Sequence, residues 1–193
     1  MILHWSSALL FLVNFLFTIG VLLFLSRFAM SWGALDFSHP VVQSIGRLTW
    51  PVLRPLYHWT GRHALRRDWW SLIVAVVLCG FDVAILAGIA GQSLSGGMLA
   101  LAALVKCTTL LDDFYIFTLI VGALMSWIQP PYIQHPVASF LHAINEPILR
   151  PLRRLIPVTG GLDLSTVLAL VILFFINILL PSPRKLSGQS RFW

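Results

Sequence analysis

The sequence predicts an all-α membrane protein. Four transmembrane helices form two parallel two-span repeats, each with an amphipathic interfacial helical linker. Three observations carry this. The 193 residues are 58% hydrophobic and only 10% charged, with mean hydropathy +0.87, whereas soluble domains carry roughly 25% charged residues. A soluble fold of this size could not hide so much apolar surface. The apolar residues collect in four long runs, and the segment between the first two runs is echoed between the last two.

The first run, about Ala8 to Phe28, has no basic segment before it and exceeds a typical signal-peptide core of roughly 7–15 residues. It reads as an uncleaved span. The second covers about Ser71–Ala90 and the fourth about Leu164–Leu180. Each can cross a hydrocarbon core of ~30 Å as a helix of ~20 residues. Lipid offers backbone polar groups no water, so helix is forced. The third run, about Met98–Ile128, contains Lys106, Asp112 and Asp113 and exceeds one span. A break near Asp112, or a long outer extension, is expected there.

The linkers carry the basic charge. Arg47, Arg54, Arg62, Arg66 and Arg67 lie in the first, and Arg150, Arg153 and Arg154 in the second. The loop at 91–97 has no basic residue, so both linkers are expected on the cytoplasmic side. The tail residues Arg184, Lys185 and Arg191 count against this orientation. The net charge of +6 thus flanks apolar spans, which points to anionic lipid headgroups rather than nucleic acid. Cys79 and Cys107 lie inside apolar runs and read as small packing residues.

The echo is an internal duplication. Residues 39–58 laid over 135–154 give eight identities in twenty without a gap. His39, Pro40, Pro51, Arg54 and Pro55 match His135, Pro136, Pro147, Arg150 and Pro151, and Asp68 matches Asp163. The expected units are 1–93, 94–181 and a basic polar tail, 182–193. An even number of spans per repeat makes the halves parallel. The second copy is the fuller one: Trp50 replaces Glu146, and Tyr57-His58 replace Arg153-Arg154.

In that second copy, Val137, Phe140, Leu141, Ile144, Ile148, Leu152, Leu155 and Ile156 form one helical stripe. Ser139, His142, Asn145, Arg150, Arg153 and Arg154 face the other way, as suits a headgroup region. Pro147 fits the first position of a new helix, with Glu146 ahead of it, and Pro151 implies a bend. Two short surface helices with a corner are expected. Pro157 ends the second, Gly160-Gly161 make a turn, and Asp163 caps the last span, ahead of Ser165. The arginines would grip lipid phosphate; the alternatives are an acidic partner protein, or an anion or substrate.

The run from His135-Pro136 through Glu146-Pro147, Arg150-Pro151, Arg153-Arg154, Pro157 and Gly160-Gly161 to Asp163-Leu164-Ser165 resembles the YggT family, and the chain resembles two tandem family modules. Thr166 departs from the family, which often has proline there. The resemblance implies a small multi-pass protein of the bacterial inner membrane. It also implies association with osmotic or ion homeostasis, with cell-division neighbourhoods and, in plastid relatives, with assembly of membrane complexes.

Within the spans, Asp82 and Lys106 fall equidistant from the loop centre and are expected to pair across a hairpin. A protonated Asp82 bonded to a neighbouring helix, or a role in ion passage, are the alternatives. Asn14 and Asn177 are expected to bond between helices. His39 and His135, each before a proline, read as turn residues; the alternative is a haem-binding pair. No GxSxG, HExxH or phosphate loop occurs, and Asp112-Asp113 point apart on a helix. The sequence therefore reads as a non-enzymatic membrane factor, without a cofactor, that organises or assists other machinery through its basic linkers. Its partners would be lipids, cytoplasmic-face proteins or copies of itself. The rivals are a small oligomeric ion conduit or modulator, and a haem or membrane-complex assembly factor.

Overall fold

Proline divides the chain into two kinds of helix. A computed structural model describes residues 2–33, 39–60, 68–89, 91, 93–128, 136–155 and 163–181. They form α1 (Ile2–Trp32), α2 (Pro40–Thr60), α3 (Trp69–Ile89), α4 (Gly96–Ile128), α5 (Pro136–Leu155) and α6 (Leu164–Leu179), with no strand among them. The proline-free helices are the apolar ones. Three are long and apolar enough to cross a membrane, over Ala8–Trp32, Trp69–Ile89 and Gly96–Ser126, and α6 is a shorter apolar helix. At ~1.5 Å per residue the 16 residues of α6 reach about 24 Å.

α1 packs along α3, α3 along α4, and α4 along α6. Small residues make the α3–α4 approach close: Ala75, Cys79, Ala103 and Cys107 are buried together, and Gly80 lies against Ala103. The two cysteines are thus packing residues, as their setting implied. Much of α1 and α6 faces outward with Phe11, Leu16, Val171, Phe175 and Ile178, a surface suited to lipid tails.

The proline-containing helices α2 and α5 lie against the bundle and touch each other, so both occupy one end of it. Leu53 of α2 is buried with Val21 and Leu25 of α1. Phe140, Leu141 and Ile144 of α5 pack with Ala29 and Met30 of α1, and Leu149 packs with Leu119, Ala169 and Leu173. Pro40 and Pro136 open their helices, where the absent N–H costs nothing.

Four expectations are corrected. The third apolar run does not break at Asp112: α4 is continuous over 33 residues. Its polar side chains find partners on neighbouring helices, so the backbone ladder need not open for them. The second linker is one helix and not two with a corner. Pro147 and Pro151 both lie inside α5, as Pro51 and Pro55 lie inside α2. Packing of Leu149 and Leu53 holds each helix across its prolines. The stripe of α5 is covered chiefly by protein rather than by the bilayer edge. Finally, Asn145 is 3% exposed, not outward, because Thr118 Oγ1 of α4 donates to its Oδ1 at 2.8 Å.

Lacking an N–H, Pro147 leaves the Ala143 carbonyl without its helical donor. Gly33, just past α1, presses its bare Cα onto that carbonyl. A Cβ there would lie 3.1 Å from the Ala143 carbonyl carbon and closer still to its oxygen.

Candidate functional site at the two linker corners

Each half closes where its linker helix meets the start of its second apolar helix, and an aspartate sits at each closure. Asp163 is the N-cap of α6, and its Oδ1 accepts the Ser165 N–H at 3.1 Å. Arg153 of α5 reaches the same carboxylate, with Nη2 at 2.9 Å and Nε at 3.2 Å from Oδ2. The other branch, Nη1, donates to Glu146 at 2.9 Å. Arg150 and His142 flank Glu146 more loosely, at 3.6 and 3.9 Å. Arg153 is therefore a corner tie and not a free headgroup contact, while Arg150 and Arg154 stay exposed.

Partial burial alone would raise the Asp163 pKa, but the hydrogen bonds and charge of Arg153, with Ser165, outweigh it and hold the carboxyl below its usual value. A depressed folded pKa stabilises above the unfolded value of ~3.9, and that stability is lost as pH falls through the folded pKa. Acidification below about pH 4 should loosen the α5–α6 corner. The loss should be under about 1 kcal/mol, because both side chains are about a third exposed. Thermal midpoints at pH 7 and pH 3 will check this, since Asp163→Asn should flatten that part of the pH dependence.

The first half solves the same problem with other residues. Asp68 stands before α3 and is 7% exposed. Its cation comes from α1, where Arg27 Nε donates to Asp68 Oδ2 at 2.7 Å. Arg27 Nη1 donates to Thr49 Oγ1 of α2 at 2.8 Å. Tyr57, which occupies the place of Arg153, donates its hydroxyl to Asp68 Oδ1. Burial, then the Asp68 hydrogen bond, push its phenol up to about 12, so it remains a donor. Trp50, in the place of Glu146, stacks against Tyr57 with ring centres 6.3 Å apart. A cavity of about 600 Å³ opens beside this corner, between α1, α2 and the start of α3.

The linkers meet near their N-termini. His39 Nε2 lies 3.1 Å from Ser139 Oγ, and its ring stacks on Phe140. His39, one residue ahead of α2, thus packs between α2 and α5. His135, Pro157, Gly160 and Gly161 lie outside the described residues, as do Arg62, Arg66, Arg67 and the C-terminal tail. Arg54, Pro51, Pro55 and Pro151 are exposed.

Inside the apolar helices, Lys106 pairs with Asp82 as the hairpin register predicts, and also donates to Asn14 Oδ1 at 2.8 Å. Asn177 of α6 donates to Asp112 at 3.0 Å and Asp113 at 2.9 Å. Both asparagines do bridge helices. Fourteen residues separate Asp68 from Asp82 and Asp163 from Asn177, about 21 Å along each helix. Asp82 and Asn177 therefore sit at equivalent depth in α3 and α6, and each bonds to α4. Among the described residues no group of three or more His, Cys, Asp or Glu could hold a metal.

A family signature described as CCB3/YggT matches residues 6–90 and 101–183. The chain belongs to the CCB3/YggT family. Each matched segment contains one of the two corners. An uncharacterized protein of Pseudomonas aeruginosa is 30% identical over 177 residues, 90% of this chain and 88% of its own length. The uncharacterized YggT protein of Escherichia coli K12 is 29% identical over 89% of this chain and 88% of its own length. A Vibrio alginolyticus relative is 29% identical over 90% and 94%. No solved structure matches the chain.

Sequence reasoning missed Arg27, Thr49, Tyr57 and Gly33. Arg27 carried a usable signal, since it is the first basic residue after the first apolar run.

Proposed function

We propose that this CCB3/YggT family member is a non-enzymatic factor of the bacterial inner membrane. Its four apolar helices cross the bilayer as two parallel repeats, and their linkers form one basic platform on the cytoplasmic side that organises other membrane components. One observation carries this reading: α2 and α5 touch each other at one end of the bundle, held to it by buried Leu53, Ile144 and Leu149, with Arg47, Arg54, Arg150 and Arg154 exposed. Those cations suit acidic protein surfaces and anionic headgroups.

The experiment is in-cell photocrosslinking from position 142, an exposed site on α5. Discrete protein adducts are expected. They should disappear in the Arg150→Gln/Arg154→Gln double variant, which leaves the Arg153 tie intact. Adducts that survive in that variant would defeat the platform reading. The rival conduit reading is favoured by the intramembrane charges alone. Potassium flux into proteoliposomes, present in wild type and abolished by Asp82→Asn, would put it first; the platform reading expects no flux above empty liposomes.

A further inference from the structure

The platform reading leaves open where a lipid would be held, and the two corners differ in that respect. Asp163 and Glu146 are both met by Arg153, so the second corner neutralises itself. The residues aligned with Arg27, Arg47 and Trp50 are there Gly122, Ala143 and Glu146. At these three positions the second corner lacks two cations and gains an anion, while Arg153 in the place of Tyr57 restores one cation, which its two carboxylates take up.

The first corner is the reverse. Asp68 is satisfied by Arg27 Nε and the Tyr57 hydroxyl, which uses up the local negative charge. Arg27 Nη1 is taken by Thr49 and, at 3.5 Å, by the Gly46 carbonyl. The Arg27 guanidinium also lies against the Tyr57 oxygen, with its charge at the cavity wall, and among the described residues Arg47 meets no carboxylate. Both arginines line the cavity of about 600 Å³, and Met30, Val42 and Trp50 supply an apolar wall. That volume lies within the ~300–1,000 Å³ of ordinary ligand sites. The cavity sits at the end of the bundle where the linkers lie, with exposed Trp50 at its wall.

We propose that this cavity binds one anionic phospholipid. Its phosphate sits between the Arg27 and Arg47 guanidinium groups, and its acyl chains leave along Met30, Val42 and Trp50. Guanidinium groups suit phosphate because their planar N–H fork matches two of its oxygens. The copy that departs further from the family motif is thus the one that holds a ligand, and the fuller copy is closed by its own charges. This rests on the platform reading, but it localises one lipid to one cavity.

Native mass spectrometry tests it on the full chain in detergent, titrated with dioleoylphosphatidylglycerol, with dioleoylglycerol as the phosphate-free probe. One bound phosphatidylglycerol is expected, and dioleoylglycerol should not compete. Arg47→Gln should weaken binding roughly tenfold, the loss of one charge-assisted contact. Arg54→Gln removes an equal charge from the same helix outside the cavity and should weaken binding far less than Arg47→Gln. Both positions are exposed, so neither variant threatens folding. Equal weakening in the two variants would overturn the cavity while leaving a diffuse basic platform standing. Unchanged binding in Arg47→Gln would overturn it as well. Displacement of the lipid by millimolar inorganic phosphate would show that free phosphate is the ligand, and would overturn the lipid assignment.

Discussion

Lys106→Met should destabilise the protein by about 3–5 kcal/mol, because it removes one partner from a buried ion pair and leaves the other. Asp82 is fully buried, and Lys106 is the cation that meets it. With Lys106 gone, the carboxylate must stay charged in an apolar interior or take up a proton. Either way the α3–α4 hairpin loses its polar tie, and Asn14 loses its donor. The double variant Lys106→Met/Asp82→Leu should recover most of the loss, since apolar replacement of a whole buried pair is often close to neutral. Unfolding free energies of wild type, both single variants and the double variant form the test cycle. Additive losses would mean that the two charges stabilise the bundle independently, contrary to the direct pairing.

The second large effect is expected at Gly33. An alanine there sets a methyl group against the Ala143 carbonyl, and backbone cannot move aside as a flexible side chain would. Relief requires the end of α1 to part from α5, which costs about 1–3 kcal/mol by the usual range for overpacking. Ala29, Met30, Phe140, Leu141 and Ile144 would loosen together, because they pack around the same crossing. Gly122→Ala is the control: its added Cβ would meet its nearest neighbours at 3.5 and 3.9 Å, ordinary contact. Gly33→Ala should therefore lower the thermal midpoint well below that of Gly122→Ala. Equal midpoints would show that the α1–α5 crossing yields readily.

The apolar helices were legible because their signal is local. Each is an apolar run uninterrupted by proline, and lipid leaves such a run one backbone solution. The Asp82–Lys106 pair was legible for a related reason: a short hairpin loop fixes the register by counting. The linkers were harder. Proline propensity argued for breaks at Pro147 and Pro151, but tertiary packing of Leu149 and Leu141 holds one helix through both positions. Helical spacing identified the apolar stripe of α5 but not what covers it, because spacing cannot distinguish lipid from a neighbouring helix. It also placed Arg153 with Arg150 and Arg154, although Arg153 turns to Asp163 ten residues ahead. The Arg27–Asp68 tie spans 41 residues and has no local pattern. Comparing the halves position by position finds only its counterpart, since Gly122 stands where Arg27 does.

That difference means the two halves are no longer interchangeable parts. A linker with the residues of α2 grafted into the second half would leave Asp163 facing a tyrosine, with no arginine on α4 to replace the lost one. A linker with the residues of α5 grafted into the first half would crowd a second guanidinium against Arg27 and set a new carboxylate beside Asp68. The first corner has become specific to its own first helix, whereas the second carries its cation on its linker, so after duplication the two linkers can no longer be exchanged.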